Sequence, residues 1–209
     1  MISLSLMLKN TAGHTRVTKV SCFSRAALPP EREDADADAN AEGQRDRRLF
    51  RRCQVDKLKG GDQAPGFALI DQFGKTVTLD DFKGRKLLLY FYPKAGTSGC
   101  TRQTEAVRDA HSTMKEIGVD ALGISPDSTA LQKKFSDKLQ LSFPLLSDPD
   151  HSVAEAYGVW GEKSLYGKRY FGILRSSFLI DEDGRILEAW YKVSPGNTVP
   201  KALGALGIS

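Results

Sequence analysis

The chain has 209 residues, of which 40% are hydrophobic and 27% charged, a composition that fits one globular domain of usual size plus a tail. The formal net charge is +4. From residue 61 to the C-terminus, however, acidic and basic residues are equal in number, at 18 each. This part has no basic surplus to neutralise nucleic-acid phosphates, and no apolar stretch approaches the roughly 18 residues that a membrane span needs. Composition therefore argues against a nucleic-acid-binding or membrane-spanning protein.

The first thirty residues have the composition of an organelle transit peptide. They are rich in Ser and Thr and contain four basic residues but no acidic one, which differs from a secretory signal. A disordered N-terminus would have a similar composition. We expect residues 1–30 to direct the chain to a plastid, because arginine is sparse and residues 20–22 look like a plastid processing site. With no second, apolar targeting segment, the stroma is the expected compartment and the mitochondrial matrix is the alternative.

Residues 31–57 are expected to form a disordered linker. They begin with alternating acidic residues and alanine, and no apolar residue larger than alanine occurs before the basic stretch at 45–52. Cys53 lies at the end of that stretch, just before the patterned part of the chain, and is expected to be an accessible thiol. The folded domain is predicted to cover residues 58–209.

The pattern in this domain predicts alternating strands and helices. Residues 67–70 and 76–79 form an expected hairpin, and an unbroken apolar run at 87–92 indicates a buried strand that stops at Pro93. A helix follows, marked by apolar residues three or four apart: Val107, Ala110, Met114 and Ile117. Further strands are predicted at 119–125, 143–146, 176–180 and 185–190, and further helices at 129–139, 153–157 and 199–206. The fold class is therefore α/β, with a mixed sheet covered by helices on both faces.

Cys100 is the cysteine that falls where the first of these helices should begin. Unpaired backbone N–H groups and the positive end of the helix dipole favour a thiolate there. A free cysteine is more often a small buried hydrophobic residue, but the neighbours of Cys100 in the sequence are small or polar: Thr97, Ser98, Gly99, Thr101 and Arg102. We therefore favour a reactive thiol.

A metal site or a disulfide framework is not expected. The three cysteines, at positions 22, 53 and 100, lie far apart and form no CxxC pair. The three histidines, at 14, 111 and 151, are scattered, and solvated positions explain them better than metal ligation. No cofactor is expected either.

The residues around Cys100 resemble the active-site signature of the peroxiredoxins, in which Pro, three residues, Thr or Ser, and two residues precede a Cys. Pro93, Thr97 and Cys100 match this signature at its full spacing. The segments GDQAPGFAL, FYPKAGTSGCT, LGISPD, FPLLSD, YGVWGEKS and RSSFLID resemble the bacterioferritin-comigratory, or peroxiredoxin Q, branch in the same order. The resemblance covers residues 58–209 and implies a thioredoxin-like fold with an N-terminal hairpin extension.

The resemblance also implies an activity and its residues. Cys100 would attack hydrogen peroxide or an organic hydroperoxide and become a sulfenic acid. The N–H groups of Gly99 and Cys100, the Thr97 hydroxyl and Arg175, which opens the RSSFLID segment, would donate to the peroxide oxygens, and Pro93 would shield the sulfur. Without the resemblance, Arg175 would be an ordinary arginine at a strand end.

The sequence differs from the usual pattern of this branch at one position. Many members carry a resolving cysteine five residues after the peroxidatic cysteine. This chain has Glu105 there, so no disulfide can form within the helix, and Thr104 and Glu105 are expected to be exposed. The sulfenic acid would then be reduced by Cys53 or by an external thiol, either thioredoxin or glutaredoxin with glutathione. We expect the external route, a one-cysteine cycle, in a monomer.

Two other functions remain alternatives. The first is a peroxide sensor or redox switch without appreciable turnover, which would need the same activated thiolate. The second is a thioredoxin-like binding module that has lost its chemistry, which the presence of Thr97, Cys100 and Arg175 disfavours.

Overall fold

The computed structural model describes residues 57–165 and 168–208. The predicted transit peptide (1–30) and linker (31–57) lie outside these residues except for Lys57, and both stay predictions. The strands are β1 (Ala68–Asp71), β2 (Thr76–Thr78), β3 (Lys86–Phe91), β4 (Val119–Ser125), β5 (Leu145–Ser147), β6 (Trp160–Leu165), β7 (Lys168–Ile173), β8 (Ser176–Ile180) and β9 (Ile186–Trp190). The helices are α1 (Ser98–Glu116), α2 (Thr129–Leu139), α3 (Ser152–Ala156) and α4 (Thr198–Ala205), with short 3₁₀ turns at Leu79–Phe82 and Pro195–Asn197.

Seven of these strands form one mixed sheet in the order β2-β1-β5-β4-β3-β8-β9. Strands β3, β4 and β5 run parallel to one another, whereas β8 pairs antiparallel with β3 and β1 pairs antiparallel with β5. The predicted N-terminal hairpin, β1–β2, thus extends the sheet at one edge. The mixed α/β sheet predicted from the sequence is confirmed.

Strand β3 lies near the middle of the sheet and is buried on both faces, which explains its uninterrupted apolar sequence. Because side chains alternate along a strand, Leu87, Leu89 and Phe91 enter one hydrophobic core, while Leu88 and Tyr90 enter the other. The first core contains α3 residues and the second contains residues of α1, α2 and α4. Cys100 belongs to the second core.

The antiparallel hairpin β6–β7 was not predicted from the sequence. Its segment is rich in charged residues and glycine, so it lacks the alternating apolar face that indicates a strand. The hairpin forms a separate two-stranded sheet in which Gly161 lies opposite Gly172. It is nevertheless important, because it brings side chains to the neighbourhood of Arg175.

Helix α2 has the predicted bounds, and Phe135 and Leu139 on its apolar face are buried, as their spacing predicts. Leu131, four residues before Phe135, would share this apolar face by the same spacing, yet its side chain is 48% exposed and the neighbouring Gln132 is fully buried. The Gln132 amide donates to Ser125 Oγ at 2.8 Å and to the Leu146 carbonyl at 3.0 Å, and its oxygen accepts from Tyr92. A buried amide with these partners replaces the expected apolar contact.

None of the helices in the described part of the chain is both long and apolar enough to span a membrane.

Candidate active site

Helix α1 begins at Ser98, two residues before Cys100. Thr97 is the N-cap residue and has extended backbone angles. The first helical hydrogen bond runs from the Thr101 N–H to the Thr97 carbonyl at 2.8 Å. In the described residues, the N–H groups of Ser98, Gly99 and Cys100 donate to no backbone carbonyl. Cys100 therefore lies in the first turn, where the positive end of the helix dipole acts, as the sequence predicted.

The Cys100 side chain is buried, with only 1% exposed. The polar neighbours in the sequence had indicated a less buried thiol, and that expectation is wrong. Residues one or two apart on a helix point in different directions, so Thr101 and Arg102 do not surround the sulfur. The thiol instead packs into the core that contains Tyr90, in β3, and Tyr92, just after this strand.

Arg175 contacts the buried sulfur directly. Its Nη2 atom lies 3.2 Å from Cys100 Sγ. Arg175 immediately precedes β8, and its carbonyl accepts from the Val193 N–H at 2.9 Å, so this hydrogen bond and the adjoining strand hold its backbone. Its Nε atom is buried and has no hydrogen-bond partner among the described residues. This half-buried arginine is not the ordinary surface residue considered as the alternative, and it retains donor capacity for a ligand.

Gly99 makes room for this arginine. A Cβ atom at position 99 would lie 3.2 Å from both Nη1 and Nη2 of Arg175 and 3.5 Å from Pro195 Cγ. The resemblance implied only a backbone-donor role for Gly99, and the close approach of the guanidinium was not predicted. A glycine in the first turn of a helix signals such an approach, because it otherwise lowers helix stability.

The structure places Thr97 and Pro93 at the edge of the site. Thr97 is exposed, and its hydroxyl donates to the Lys94 carbonyl at 3.1 Å. A hydroxyl that donates to a peroxide would have to leave this carbonyl, so the role of Thr97 stays a prediction. Pro93 is half-buried and lines a cleft beside Arg175.

This cleft has a volume of about 440 Å³. Its lining combines apolar and charged side chains: Pro93, Leu174, Val193, Glu162, Lys163, Ser164, Lys192 and Arg175. Lys163 comes from β6, and its Nζ atom donates to the Ile173 carbonyl at 2.8 Å. Burial and the positive charge of Arg175 lower the pKa of Lys163, whereas negative charge on Cys100 acts in the opposite direction. Lys163 was not predicted as a site residue because its hairpin was not predicted, and no sequence pattern marked Lys192.

Buried polar contacts hold the first two turns of α1 against the sheet and α4. The Tyr90 hydroxyl donates to Thr104 Oγ1 at 3.3 Å, and burial raises the pKa of Tyr90. The Gln103 amide donates to Thr198 Oγ1 at 2.9 Å, while Gln103 Oε1 has no partner among the described residues. Thr104 was expected to be exposed but is fully buried, and Glu105 is half-buried. These contacts fix the helix that carries Cys100.

Among the described residues, His111 and His151 belong to no cluster that could hold a metal ion. Within residues 57–165 and 168–208, no group of three or more His, Cys, Asp or Glu side chains could hold a metal ion. His111 was expected to be solvated but is buried, with Nδ1 2.8 Å from Ser142 Oγ. His151 stacks on Trp160 with ring centroids 3.8 Å apart.

Comparison with known proteins identifies the family. The sequence profile described as "AhpC/TSA family" matches residues 60–189, which is more than half of the chain. The chain belongs to the AhpC/TSA family. Peroxiredoxin Bcp of Escherichia coli (strain K12) is 54% identical over 132 residues, covering 63% of this chain and 85% of that protein. The expected membership in the peroxiredoxins, close to the bacterioferritin-comigratory branch, is confirmed.

Solved structures agree with this peroxiredoxin fold. Peroxidoxin BcpB from Mycobacterium tuberculosis has a TM-score of 0.64 and 34% identity, and the match covers 72% of this chain and 97% of that chain. The bacterioferritin comigratory protein of Xanthomonas campestris has a TM-score of 0.65 and 33% identity, over 73% and 97% of the two chains. That structure was described in connection with alkyl peroxide reduction. The predicted thioredoxin-like fold is confirmed.

The candidate resolving residue stays untested. Cys53 lies outside the described residues, so its distance from Cys100 is not known. Position 105 in α1 is a glutamate, and the sequence thus excludes the helix disulfide of relatives that carry a cysteine there.

Proposed function

We propose that this peroxiredoxin reduces hydrogen peroxide and organic hydroperoxides through Cys100, and that an external thiol completes the cycle. Membership in the family gives thiol-dependent peroxide reduction. The observation that carries the assignment to Cys100 is its contact with Arg175, whose Nη2 lies 3.2 Å from the sulfur at the N-terminus of α1. The alkyl peroxide reduction described for the Xanthomonas campestris relative supports organic hydroperoxides as substrates.

The first half of the reaction is a displacement at oxygen. The Cys100 thiolate attacks one peroxide oxygen, the O–O bond breaks, and the departing hydroxide or alkoxide takes up a proton. Cys100 keeps the attacked oxygen and becomes a sulfenic acid, while hydrogen peroxide leaves as water and an organic hydroperoxide leaves as its alcohol. Arg175 and the free N–H groups of Gly99 and Cys100 are positioned to stabilise the negative charge that moves from sulfur to the departing oxygen.

Reduction of the sulfenic acid requires a change at α1. The proposed route of a small peroxide to the sulfur starts at the cleft beside Arg175, but the active-site sulfur of a thioredoxin cannot touch a side chain that is 1% exposed. The first turn of α1 must therefore open, at least briefly, before an external thiol can form a mixed disulfide with Cys100. The contacts that hold this turn, including the Gln103–Thr198 hydrogen bond, would limit the rate of that step.

The reductant is thioredoxin or glutaredoxin with glutathione, and the protein acts as a monomer. The composition of residues 1–30 supports import into the plastid stroma, with the mitochondrial matrix as the alternative. A fusion of residues 1–30 to a fluorescent protein tests the location, since a diffuse cytosolic signal would contradict import.

Steady-state peroxide consumption tests the function. Wild-type protein should consume hydrogen peroxide when it is supplied with thioredoxin, thioredoxin reductase and NADPH, or with glutaredoxin and glutathione. Cys100→Ser should be inactive in both systems, and the matched control Cys53→Ser should retain activity. Oxidation of Cys100 without turnover in either system would support a sensor instead, and activity in Cys100→Ser would remove Cys100 as the nucleophile.

A further inference from the structure

The loop that joins β3 to α1 carries Thr97 to the edge of the site. Lys94, Gly96 and Thr97 of this loop are exposed, so packing alone does not hold the Thr97 hydroxyl in one place. Its position must come from polar contacts of the loop.

One peptide group of the loop, between Lys94 and Ala95, uses both of its polar atoms. The Ala95 N–H donates to Asp127 Oδ2 at 2.6 Å, and the Lys94 carbonyl accepts from the Thr97 hydroxyl at 3.1 Å. The N–H and C=O of a planar trans peptide point in opposite directions, so this peptide bridges a carboxylate on one side and a hydroxyl on the other. Negative charge at the N–H end polarises the peptide and strengthens its carbonyl as an acceptor.

Asp127 is itself held firmly. It lies between β4 and α2 and is only 9% exposed. Its Oδ2 atom also accepts from Ser125 Oγ at 2.8 Å, and its carbonyl accepts from Ser147 Oγ at 2.7 Å. Within residues 57–165 and 168–208 it forms no ion pair with a basic side chain. A carboxylate buried in this way depends on its hydrogen bonds, which fix its position.

The same network supports the residue that precedes the loop. Ser125 Oγ accepts from the Gln132 amide at 2.8 Å, and the Gln132 oxygen accepts from the Tyr92 hydroxyl. Tyr92 belongs to the core that contains Cys100, and its N–H donates to the Ile124 carbonyl at 3.1 Å. The loop is therefore anchored at Tyr92 and again at Ala95, and both anchors lead to the Asp127 network.

We propose that Asp127 is a positioning residue for peroxide reduction. It fixes the Lys94–Ala95 peptide, and this peptide sets the orientation of the Thr97 hydroxyl at the edge of the site. Asp127 acts through Thr97, because its hydrogen bonds go to the loop and to Ser125 and not to the Cys100 sulfur. This inference rests on the proposed function and deepens it.

A double-mutant cycle on the rate of Cys100 oxidation by hydrogen peroxide tests the proposal. Asp127→Ala should slow the stopped-flow rate by roughly 5- to 50-fold, a part of the roughly 10²–10³ that complete loss of a transition-state contact costs. In the Thr97→Val background, which lacks the hydroxyl, Asp127→Ala should slow oxidation by less than about twofold further. In the Thr97→Ser background, which keeps a hydroxyl, it should again cause most of the loss seen in wild type.

The conservative variant is Asp127→Asn, which keeps a side-chain oxygen for the Ala95 N–H. It should react within roughly threefold of wild type, since a neutral acceptor makes a weaker bond than a carboxylate. The matched control is Asp148→Ala, which removes another buried carboxylate that accepts a backbone N–H, that of Ala154 at 2.8 Å in α3. This control should lower the urea denaturation midpoint and leave the oxidation rate unchanged.

Two further steps keep the test decisive. If Asp127→Ala does not fold, Asp127→Ser takes its place in the cycle, because serine is too short to reach the Ala95 N–H. Hydrogen exchange of the Ala95 amide, followed by NMR in the reduced protein, should be slowed by about tenfold or more in wild type and should lose this protection when the carboxylate is removed.

Near-normal oxidation in Asp127→Ala would overturn the proposal, and so would an unprotected Ala95 amide in wild type. Equal slowing by Asp127→Ala with and without the Thr97 hydroxyl would also overturn it, because Asp127 would then act on the fold in general. Failure of the proposed function would look different, since hydrogen peroxide would then leave Cys100 of the wild type unoxidised.

Discussion

Replacing Gly99 by alanine should slow peroxide reduction without destabilising the protein. The new Cβ would lie 3.2 Å from both terminal nitrogens of Arg175 and 3.5 Å from Pro195 Cγ. The guanidinium is the end of a flexible side chain, so it can move by the few tenths of an ångström that the contact requires. That movement separates Nη2 from Cys100 Sγ, which are 3.2 Å apart. The substitution keeps the Gly99 N–H and tests only the position of the arginine.

The expected loss follows from the value of a charged donor in a transition state. Removing such a donor completely costs about 10²–10³ in rate, and a weakened contact should cost a part of this. A loss of about 1–2 kcal/mol corresponds to a roughly 5- to 30-fold slower reaction. In contrast, alanine in place of glycine within a helix stabilises the fold by up to about 1 kcal/mol.

Stopped-flow oxidation by hydrogen peroxide and urea denaturation measure the two effects separately. The matched control is Gly204→Ala in α4, where a Cβ would meet no atom within 4 Å. This control should be at least as stable as wild type and react at the same rate. Normal oxidation of Gly99→Ala would refute the argument that the position of Arg175 against Cys100 controls the rate, and slow oxidation of both variants would show a general effect of helix substitutions.

Three further predictions concern α1 and its surroundings. Thr198→Val should destabilise the fold by about 1–3 kcal/mol in urea denaturation, because it leaves the buried Gln103 amide without its acceptor. Burial, and then the positive charge of Lys115, lowers the pKa of His111. The unfolded chain therefore binds the proton more tightly, and stability should fall as the pH drops below about 6.5, with a flatter profile in His111→Gln. Glu105→Cys should accumulate less Cys100 sulfinic acid than wild type in excess peroxide, because an internal disulfide forms when α1 opens. An intact helix separates residues five apart by about 7.5 Å along its axis, which exceeds usual disulfide geometry.

Each of these predictions has a contradicting outcome. An unchanged denaturation midpoint in Thr198→Val would mean that the Gln103 contact contributes nothing to stability. Parallel stability–pH curves for wild type and His111→Gln would place the acid sensitivity elsewhere. Equal sulfinic acid in wild type and Glu105→Cys would argue that α1 stays closed during the cycle.

The central strand and the start of α1 were predictable because local patterns determine them. The run at 87–92 is apolar on both faces since β3 is covered on both sides, and Pro93 ends it. The position of Cys100 followed from the strand–loop–helix pattern around it. Its burial did not, because exposure depends on which face of α1 packs against the sheet and not on its sequence neighbours.

Long-range contacts were not accessible from pattern alone. Arg175 lies 75 positions from Cys100, and in the sequence only the resemblance to peroxiredoxins connects the two residues. Gln132 is buried on the inner face of α2, where Leu131 was expected, because its amide finds partners on β4 and β5. The spacing of apolar residues cannot predict such hydrogen bonds. The β6–β7 hairpin was missed because its two strands lack a covered apolar face.

Mass spectrometry of the oxidised protein tests the central claim most directly. Reduced full-length protein is treated with one equivalent of hydrogen peroxide without any reductant, and sulfenic acid is trapped with dimedone. The proposed cycle predicts one dimedone adduct, on Cys100, and no disulfide. A disulfide between Cys53 and Cys100 would contradict the external-thiol cycle, and an adduct on any residue other than Cys100 would contradict the assignment of the nucleophile.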